Sequence, residues 1–147
     1  ARYVRAAEAL DYVAGYTCFL DGSVRDWQRH TTQFTAGKNF PRTGALGPWM
    51  VTKDEISDPH TLAIKTRLNG EVLQDANTSQ LIFRIPQLIE YLSSFTPLSP
   101  GDIIATGTPS GVGFARKPPI FMKAGDVVEV DITGIGVLKN RLELDPS

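Results

Sequence analysis

Two short stretches in the first third of the chain carry the side chains best suited to chemistry. One brings together the Asp21 carboxylate, the Arg25 guanidinium and the Gln28 amide, and the other places Lys38 between a glycine and an asparagine. Hard divalent cations prefer carboxylate oxygens, a guanidinium matches a carboxylate in shape, and an ammonium group stabilises an enolate or oxyanion. These groups suit an anionic, oxygen-rich substrate held on a hard metal ion.

A glycine-rich stretch at residues 106–113, with the sequence TGTPSGVG, is the third candidate. It lacks the Gly-Lys-Ser/Thr ending of a Walker A loop and the residue order of a nucleophile elbow. It can form a nest of backbone N–H groups in which Thr108 donates to a carboxylate, or it can be a plain turn that ends a strand. The pattern alone leaves both interpretations open.

Each candidate also has an ordinary structural explanation. Asp21 fits a turn or a helix start, Lys38 fits the solvated surface, and the arginine and the glutamine fit an exposed helix face. Ser23 and Asp26 have the spacing of a helix capping box, which explains Asp26 without a metal. Chemistry therefore requires that the fold bring the candidates together.

Composition narrows the class of protein. The chain has 147 residues, a net charge of -1 and a hydrophobic content of 41%, which predicts a single domain over residues 1–147 with a buried core. A nearly neutral chain has no electrostatic footprint for nucleic acid or an anionic membrane, and no apolar run could span a bilayer. We therefore expect neither nucleic acid nor a membrane as a partner. Cys18 is the only cysteine, which excludes an internal disulfide and favours a cytoplasmic location.

The hydrophobic pattern predicts a strand-rich fold with few short helices. The predicted strands span residues 12–20, 49–52, 62–68, 71–74, 102–106, 127–132 and 137–144. The predicted helices span residues 6–10, 23–30 and 86–92, and a long loop covers residues 31–48. Asn69-Gly70 predicts a hairpin with a type I′ turn, and strand 102–106 is expected to run straight into the glycine-rich stretch.

Taken in order, the motifs of the chain resemble the C-terminal catalytic domain of the fumarylacetoacetate hydrolase family. The resemblance runs from about Val13 to Leu142. The matching segments are residues 15–28, 37–40, 47–49, 58–59, 69–74, 78–83, 98–113 and 125–130. Any one of these motifs is weak, but their order along the chain is specific.

The resemblance implies an α+β fold that is predominantly β, with mixed β-sheets rolled around a central site, in a homodimer. It implies Mg²⁺, or alternatively Mn²⁺ or Ca²⁺, and a 2-oxo acid or β-diketo acid substrate that chelates the metal. The implied reactions are acylpyruvate-type C–C hydrolysis, or isomerisation or decarboxylation of a related 2-oxo dicarboxylate such as 2-hydroxyhepta-2,4-diene-1,7-dioate.

The resemblance also implies roles for particular residues. Asp21 matches the metal-binding aspartate, and Lys38 matches the catalytic lysine that stabilises enolate charge. Arg25 and Gln28 match residues around the metal and the substrate, and Thr108 matches a substrate-binding threonine.

Members of the family complete the metal site with a Glu-x-Glu pair on an earlier strand, and many carry a His and a Glu that act on water. We therefore expect the natural protein to carry these residues upstream of Ala1. The alternative hypothesis is a non-catalytic short form or binding module without a complete metal site. A third hypothesis, a carbohydrate- or nucleotide-binding β module, is supported only by the glycine-rich stretch. Arg116 begins a basic loop that could meet a second substrate carboxylate or could simply be exposed.

Overall fold

The computed structural model describes residues 1–145, and most of its regular structure is antiparallel strand. The strands are β1 (Gly15–Asp21), β2 (Gly44–Thr52), β3 (Ala63–Leu68), β4 (Glu71–Asn77), β5 (Val127–Ile132) and β6 (Gly136–Arg141). The α-helices are α1 (Arg25–Gln28) and α2 (Ile85–Phe95). Short 3-10 helices span Ala6–Tyr12, Phe34–Lys38, Thr78–Gln80 and Gly113–Ala115. The prediction of a predominantly β fold with few short helices is confirmed.

Two sheets enclose the main core. One pairs β1 with β2, and the other has the strand order β4-β3-β5-β6, with every pairing antiparallel. The buried side chains between them are those of Cys18, Val51, Ile56, Val130, Ile132, Ile135 and Leu138. In β5 these side chains belong to alternate residues, as expected for a strand with one buried face. A smaller cluster beneath α2 contains Val4, Ala9 and Ile89.

The predicted hairpin is confirmed. Strands β3 and β4 pair across Asn69 and Gly70, whose φ angles of 52° and 86° fit a type I′ turn. The Asn69 amide also donates to Asp126 (2.9 Å), and its oxygen accepts the backbone N–H of Val127 (2.8 Å). The Asn69 hydrogen bond, aided by the backbone N–H of Lys123, lowers the pKa of the Asp126 carboxyl. The turn is thereby tied to the start of β5.

A buried histidine fixes the start of α2, the helix predicted over residues 86–92. His60 Nε2 accepts the backbone N–H of Ile85 (3.2 Å), while Nδ1 lies 3.2 Å from the Asp58 carboxylate. Because Nε2 accepts this bond, the ring hydrogen is assigned to Nδ1, on the side that faces Asp58. The backbone N–H of His60 lowers the pKa of Asp58.

The predicted capping box is wrong. Helix α1 begins at Arg25, with Val24 at the N-cap position and no capping bond from a side chain. Ser23 instead donates through Oγ to the backbone carbonyl of Asp21 (3.3 Å). The helix is a single turn, so it neither starts at Ser23 nor reaches residue 30.

The predicted long loop at residues 31–48 is also partly wrong. The segment contains the 3-10 helix Phe34–Lys38, and β2 begins at Gly44, well before the predicted strand at residue 49. Gly44 pairs with Asp21 at the end of β1. This pairing is not local, so the periodicity of residues 31–48 could not reveal it.

The strand predicted at residues 102–106 does not form. This segment has no regular secondary structure, and none of residues 1–145 pairs with it in a sheet. A strand requires a hydrogen-bonded neighbour, so an apolar run alone does not make one. No helix among residues 1–145 combines the length and the apolar character needed to cross a bilayer.

Candidate active site

All five residues singled out in the sequence line one cavity of about 470 Å³. Its walls come from the end of β1, helix α1, the inner positions of β3 and β5, and the glycine-rich loop. The glycine-rich loop comprises residues 106–113. The candidates on this cavity are Asp21, Arg25, Gln28, Lys38 and Thr108.

An ion pair joins Asp21 and Lys38. Asp21 is the last residue of β1, and Lys38 is the last residue of the 3-10 helix Phe34–Lys38. Lys38 Nζ donates to Asp21 Oδ2, with the lysine and aspartate side chains 28% and 52% exposed. The second carboxylate oxygen, Oδ1, has no hydrogen bond among residues 1–145. Asp21 therefore keeps one oxygen open for a ligand while it holds the lysine in place.

Gly37 brings Lys38 to the aspartate. A Cβ at Gly37 would lie 2.6 Å from the Cα of Gln28, so the backbone of α1 rests directly on this residue. The backbone N–H of Val24 donates to the Gly37 carbonyl (2.9 Å). Only glycine permits this approach, and the approach sets the distance between α1 and the lysine that follows Gly37.

Arg25 and Gln28 act as a unit on one face of α1. Arg25 Nη1 donates to Gln28 Oε1 (2.7 Å), and only 8% of Gln28 is exposed. A guanidinium has five N–H donors, so this bond leaves most of them free. The guanidinium groups of Arg25 and Arg29 lie 5.6 and 4.6 Å from the ring centroid of Phe114. Phe114, which no sequence motif singled out, thus holds α1 against the residues that follow the glycine-rich loop.

The glycine-rich loop lies against the edge strand β4. A Cβ at Gly111 would lie 2.3 Å from the carbonyl oxygen of Leu73, and the φ angle of Gly111 is 97°. Gln74 Nε2 donates to Thr108 Oγ1 (3.0 Å) and to the carbonyl of Pro109 (2.8 Å). Sequence reasoning used Gln74 only as the last residue of the hairpin motif and missed this contact.

Arg116 braces the same loop. Its Nε donates to the Gly111 carbonyl (3.1 Å), and its Nη2 donates to the Leu73 carbonyl. The guanidinium is therefore committed to two backbone carbonyls. This arrangement argues against the hypothesis that Arg116 stands free to meet a second substrate carboxylate.

The donor set fits one ligand of a hard cation, not a complete metal cage. Asp21 is the only carboxylate among the residues that line the cavity, and residues 1–145 contain no group of three or more His, Cys, Asp or Glu side chains placed to hold a metal. Magnesium in proteins is often held by one or two carboxylates, with water and substrate oxygens completing the shell. Asp21 with its open Oδ1 matches such a ligand.

The described residues offer no thiol or imidazole for covalent chemistry in this cavity. Cys18 is fully buried in the core, its thiol contacts the Gly136 carbonyl (3.5 Å), and burial raises its pKa. A raised pKa keeps the thiol protonated and unreactive. Neither His30 nor His60 lines the cavity. The arrangement suits charge stabilisation of a bound anion rather than nucleophilic catalysis.

Comparison with known proteins agrees with the motifs. The family model described as "Fumarylacetoacetate (FAA) hydrolase C-terminal" matches residues 1–143. The mitochondrial oxaloacetate tautomerase FAHD2A of Bos taurus is 49% identical over 143 residues, which is 96% of this chain and 46% of the relative.

Two solved structures extend the comparison. Fumarylacetoacetate hydrolase from the psychrophile Exiguobacterium antarcticum superposes with a TM-score of 0.95 at 37% identity, over 99% of this chain and 52% of that one. Maleylpyruvate hydrolase from Sphingobium sp. SYK-6, in complex with manganese(II) and pyruvate, gives a TM-score of 0.83 at 36% identity, over 97% of this chain and 49% of that one. The chain thus spans about half the length of the relatives it matches.

Proposed function

The chain belongs to the fumarylacetoacetate hydrolase family, and from this premise we propose that it is the site-bearing part of a metal-dependent enzyme that acts on 2-oxo acids. The reaction we propose is enol–keto chemistry at the carbon next to the 2-oxo group. Tautomerisation of a 2-oxo dicarboxylate such as oxaloacetate is the first choice, because the bovine relative is named for it. Acylpyruvate-type C–C hydrolysis and decarboxylation break a C–C bond instead of a C–H bond at that carbon, and like isomerisation they place enolate charge on the 2-oxo oxygen.

The observation that carries the proposal is the grouping of one carboxylate and two cations on a single cavity. Lys38 donates to Asp21, and Arg25 stands on the adjoining helix face. An isolated carboxylate on a cavity would repel an anionic substrate. Two cations beside it reverse the local charge, and they provide a partner for a carboxylate and another for a developing enolate oxygen.

Each residue has a role in this chemistry. Arg25 binds the substrate carboxylate through its free N–H donors, with Gln28 holding the guanidinium in orientation. When the proton leaves the carbon next to the 2-oxo group, its electron pair moves onto the 2-oxo oxygen, and the Lys38 ammonium stabilises that charge. An ammonium group has donors and no lone pair, so Lys38 acts as a charge stabiliser and not as the base.

We propose that the proton acceptor and the remaining metal ligands lie upstream of Ala1 in the natural protein, where the family resemblance places a His, a Glu and a Glu-x-Glu pair. Asp21 would hold the metal from this side of the cavity. A bound divalent ion, Mg²⁺ by preference and Mn²⁺ or Ca²⁺ as alternatives, would supply Lewis-acid polarisation of the substrate carboxylate and 2-oxo oxygens.

A substrate panel with the natural full-length protein tests the proposal. Tautomerisation of oxaloacetate, hydrolysis of an acylpyruvate and decarboxylation of oxaloacetate would be followed with Mg²⁺ present. We expect catalysis of at least one of these reactions, with tautomerisation fastest. Rates equal to the uncatalysed background on every 2-oxo acid would reject the proposed enzymatic function and favour the alternative hypothesis of a non-catalytic binding module.

A homodimer and a cytoplasmic location stay predictions. The bovine relative is named as mitochondrial, and a chain with one buried cysteine suits any reducing compartment. Fractionation of cells that express the natural protein from its own gene would decide the compartment.

A further inference from the structure

The glycine-rich loop lacks the support that a regular element would give it. Residues 106–112 precede the 3-10 helix Gly113–Ala115 and form no strand. Gly107 and Gly111 both have positive φ angles, at 112° and 97°, which leaves the loop free of the steric limits that side chains impose. Something outside the loop must therefore fix the position of Thr108.

Gln74 is the side chain that reaches Thr108. The single Nε2 nitrogen of Gln74 contacts both Thr108 Oγ1 (3.0 Å) and the Pro109 carbonyl (2.8 Å). Gln74 is half-buried on β4, so it is anchored in a sheet while it holds the loop. The two contacts span 34 and 35 residues of sequence.

The orientation of the Gln74 amide follows from its partners. A backbone carbonyl can only accept a hydrogen bond, so the end of the amide that faces Pro109 must be the nitrogen. The same NH₂ group then places its other hydrogen on Thr108 Oγ1. A hydroxyl has one hydrogen and two lone pairs. Because Gln74 occupies a lone pair, the hydroxyl hydrogen of the exposed Thr108 is left for another acceptor, and within residues 1–145 the hydroxyl makes no second hydrogen bond.

We propose that Gln74 is a positioning residue that makes Thr108 a hydrogen-bond donor to the carboxylate of the substrate. The inference rests on the proposed function for the identity of that carboxylate. Without Gln74, the Thr108 hydroxyl is free to rotate, and the loop that carries it loses one of the two side chains that hydrogen-bond to it from outside among residues 1–145. Arg116, which holds Gly111, is the other. The amide thus acts on the substrate only through the threonine.

The proposal predicts a particular pattern of kinetic constants in the full-length protein. Thr108→Val removes the donor, and since a carboxylate contact is made before and during the reaction, KM rises by about 10- to 100-fold while kcat changes little. Gln74→Met keeps the side-chain volume without the amide, and we expect it to raise KM by a similar or smaller factor. Thr108→Ser keeps the hydroxyl and should recover most of the affinity that Thr108→Val loses.

The double variant decides whether the two residues act together. If Gln74 works through Thr108, Gln74→Met combined with Thr108→Val raises KM no further than Thr108→Val alone. If the fold increases in KM of the two single variants multiply in the double variant, the inference is overturned. An unchanged KM in Gln74→Met would also overturn it. The matched control is Gln87→Met, which removes an exposed amide that accepts from the backbone of Arg84 at the start of α2. It should leave KM unchanged.

A second measurement keeps the inference testable if the protein proves inactive on 2-oxo acids. Amide hydrogen exchange of residues 106–112 reports the positioning of the loop without any substrate. We expect faster exchange in Gln74→Met than in the wild type or in Thr108→Val, which keeps the bond to Pro109. Equal exchange in all three proteins would refute the positioning role, whereas an inactive wild type with faster exchange in Gln74→Met would refute only the proposed reaction.

Discussion

At the scale of the residue, we expect the ion pair between Lys38 and Asp21 to contribute little to stability and much to catalysis. The two side chains are 28% and 52% exposed, so water screens their attraction. Exposed ion pairs contribute about 0 to 1 kcal/mol to the free energy of unfolding. The same ammonium group, placed on a cavity that binds an anion, can contribute several times more to the stabilisation of a transition state.

Replacement of Lys38 by alanine should therefore lower kcat about 100- to 1000-fold, while the melting temperature changes little. Steady-state kinetics and thermal unfolding of the full-length variant measure both effects. Lys65→Ala is a matched control, because Lys65 forms a comparable exposed pair with Asp75 (3.1 Å) away from the cavity. Unchanged turnover in Lys38→Ala would remove this residue from the mechanism.

At the scale of the element, the site depends on how closely α1 approaches the 3-10 helix Phe34–Lys38. Gly37→Ala would force the new Cβ against Gln28, at 2.6 Å from its Cα. We expect this overpacking to cost about 1 to 3 kcal/mol of the free energy of unfolding, and to lower activity because Lys38 moves with the helix. Denaturant unfolding and kinetics measure the two effects.

Gly44→Ala is the control for that experiment. Gly44 lies on β2 opposite Asp21, and a Cβ there would meet the Phe19 ring at 3.6 Å and the Leu20 carbonyl oxygen at 3.8 Å, both ordinary contact distances. It should change stability and activity little. If Gly37→Ala behaves as Gly44→Ala does, the close packing of α1 does not position the lysine.

The tie between the β3–β4 turn and the start of β5 predicts a dependence of stability on pH. The Asn69 amide lowers the pKa of Asp126 in the folded protein, so its carboxylate is favoured in the folded state. The stabilisation is fully present above the unfolded aspartate pKa of about 3.9. It is lost as the pH falls through the lower folded value, because the unfolded chain then binds more protons.

Asp126→Asn should flatten the acid limb of the plot of melting temperature against pH. Asn69→Ala should flatten the same limb, since it removes the main donor to the carboxylate. An acid limb as steep as that of the wild type in both variants would show that other carboxylates, such as Asp58, account for the acid sensitivity.

Sequence predicted best the elements whose signals are local. A type I′ turn requires two positive φ angles, which few residue pairs adopt as readily as Asn-Gly. The Asn69-Gly70 dipeptide was therefore enough to locate the hairpin. The apolar run at residues 102–106 carried no information about a partner strand, and it forms none within residues 1–145.

The same limit applies to the candidate site. The motifs identified Asp21 and Lys38 because the family resemblance supplied their roles, and the structure places both on one cavity. Gln74 was missed as a functional residue because its contact with Thr108 joins positions 34 residues apart. The position of Phe114 beneath two arginines likewise depends on tertiary packing that no short pattern encodes.

At the scale of the whole molecule, large apolar side chains stay exposed on β2. Leu46, Trp49 and Met50 are 47%, 62% and 56% exposed, and large exposed apolar side chains favour an interface. We expect the natural protein to be a homodimer, and Met50→Lys to shift it toward the monomer. Sedimentation velocity measures the mass, with Val72→Lys on exposed β4 as the control. A monomeric wild type would contradict the prediction.

The most direct test of a metal-dependent site at Asp21 is a titration of Mg²⁺ into the chelator-treated full-length protein, with oxaloacetate tautomerisation as the readout. We predict that the treated wild type is inactive and recovers with metal. Asp21→Asn should need more than about tenfold more metal for half-maximal activity, a loss of at least about 1.4 kcal/mol in metal binding. Full activity without metal, or equal metal requirements for Asp21→Asn and the wild type, would contradict the assignment of Asp21 as a metal ligand.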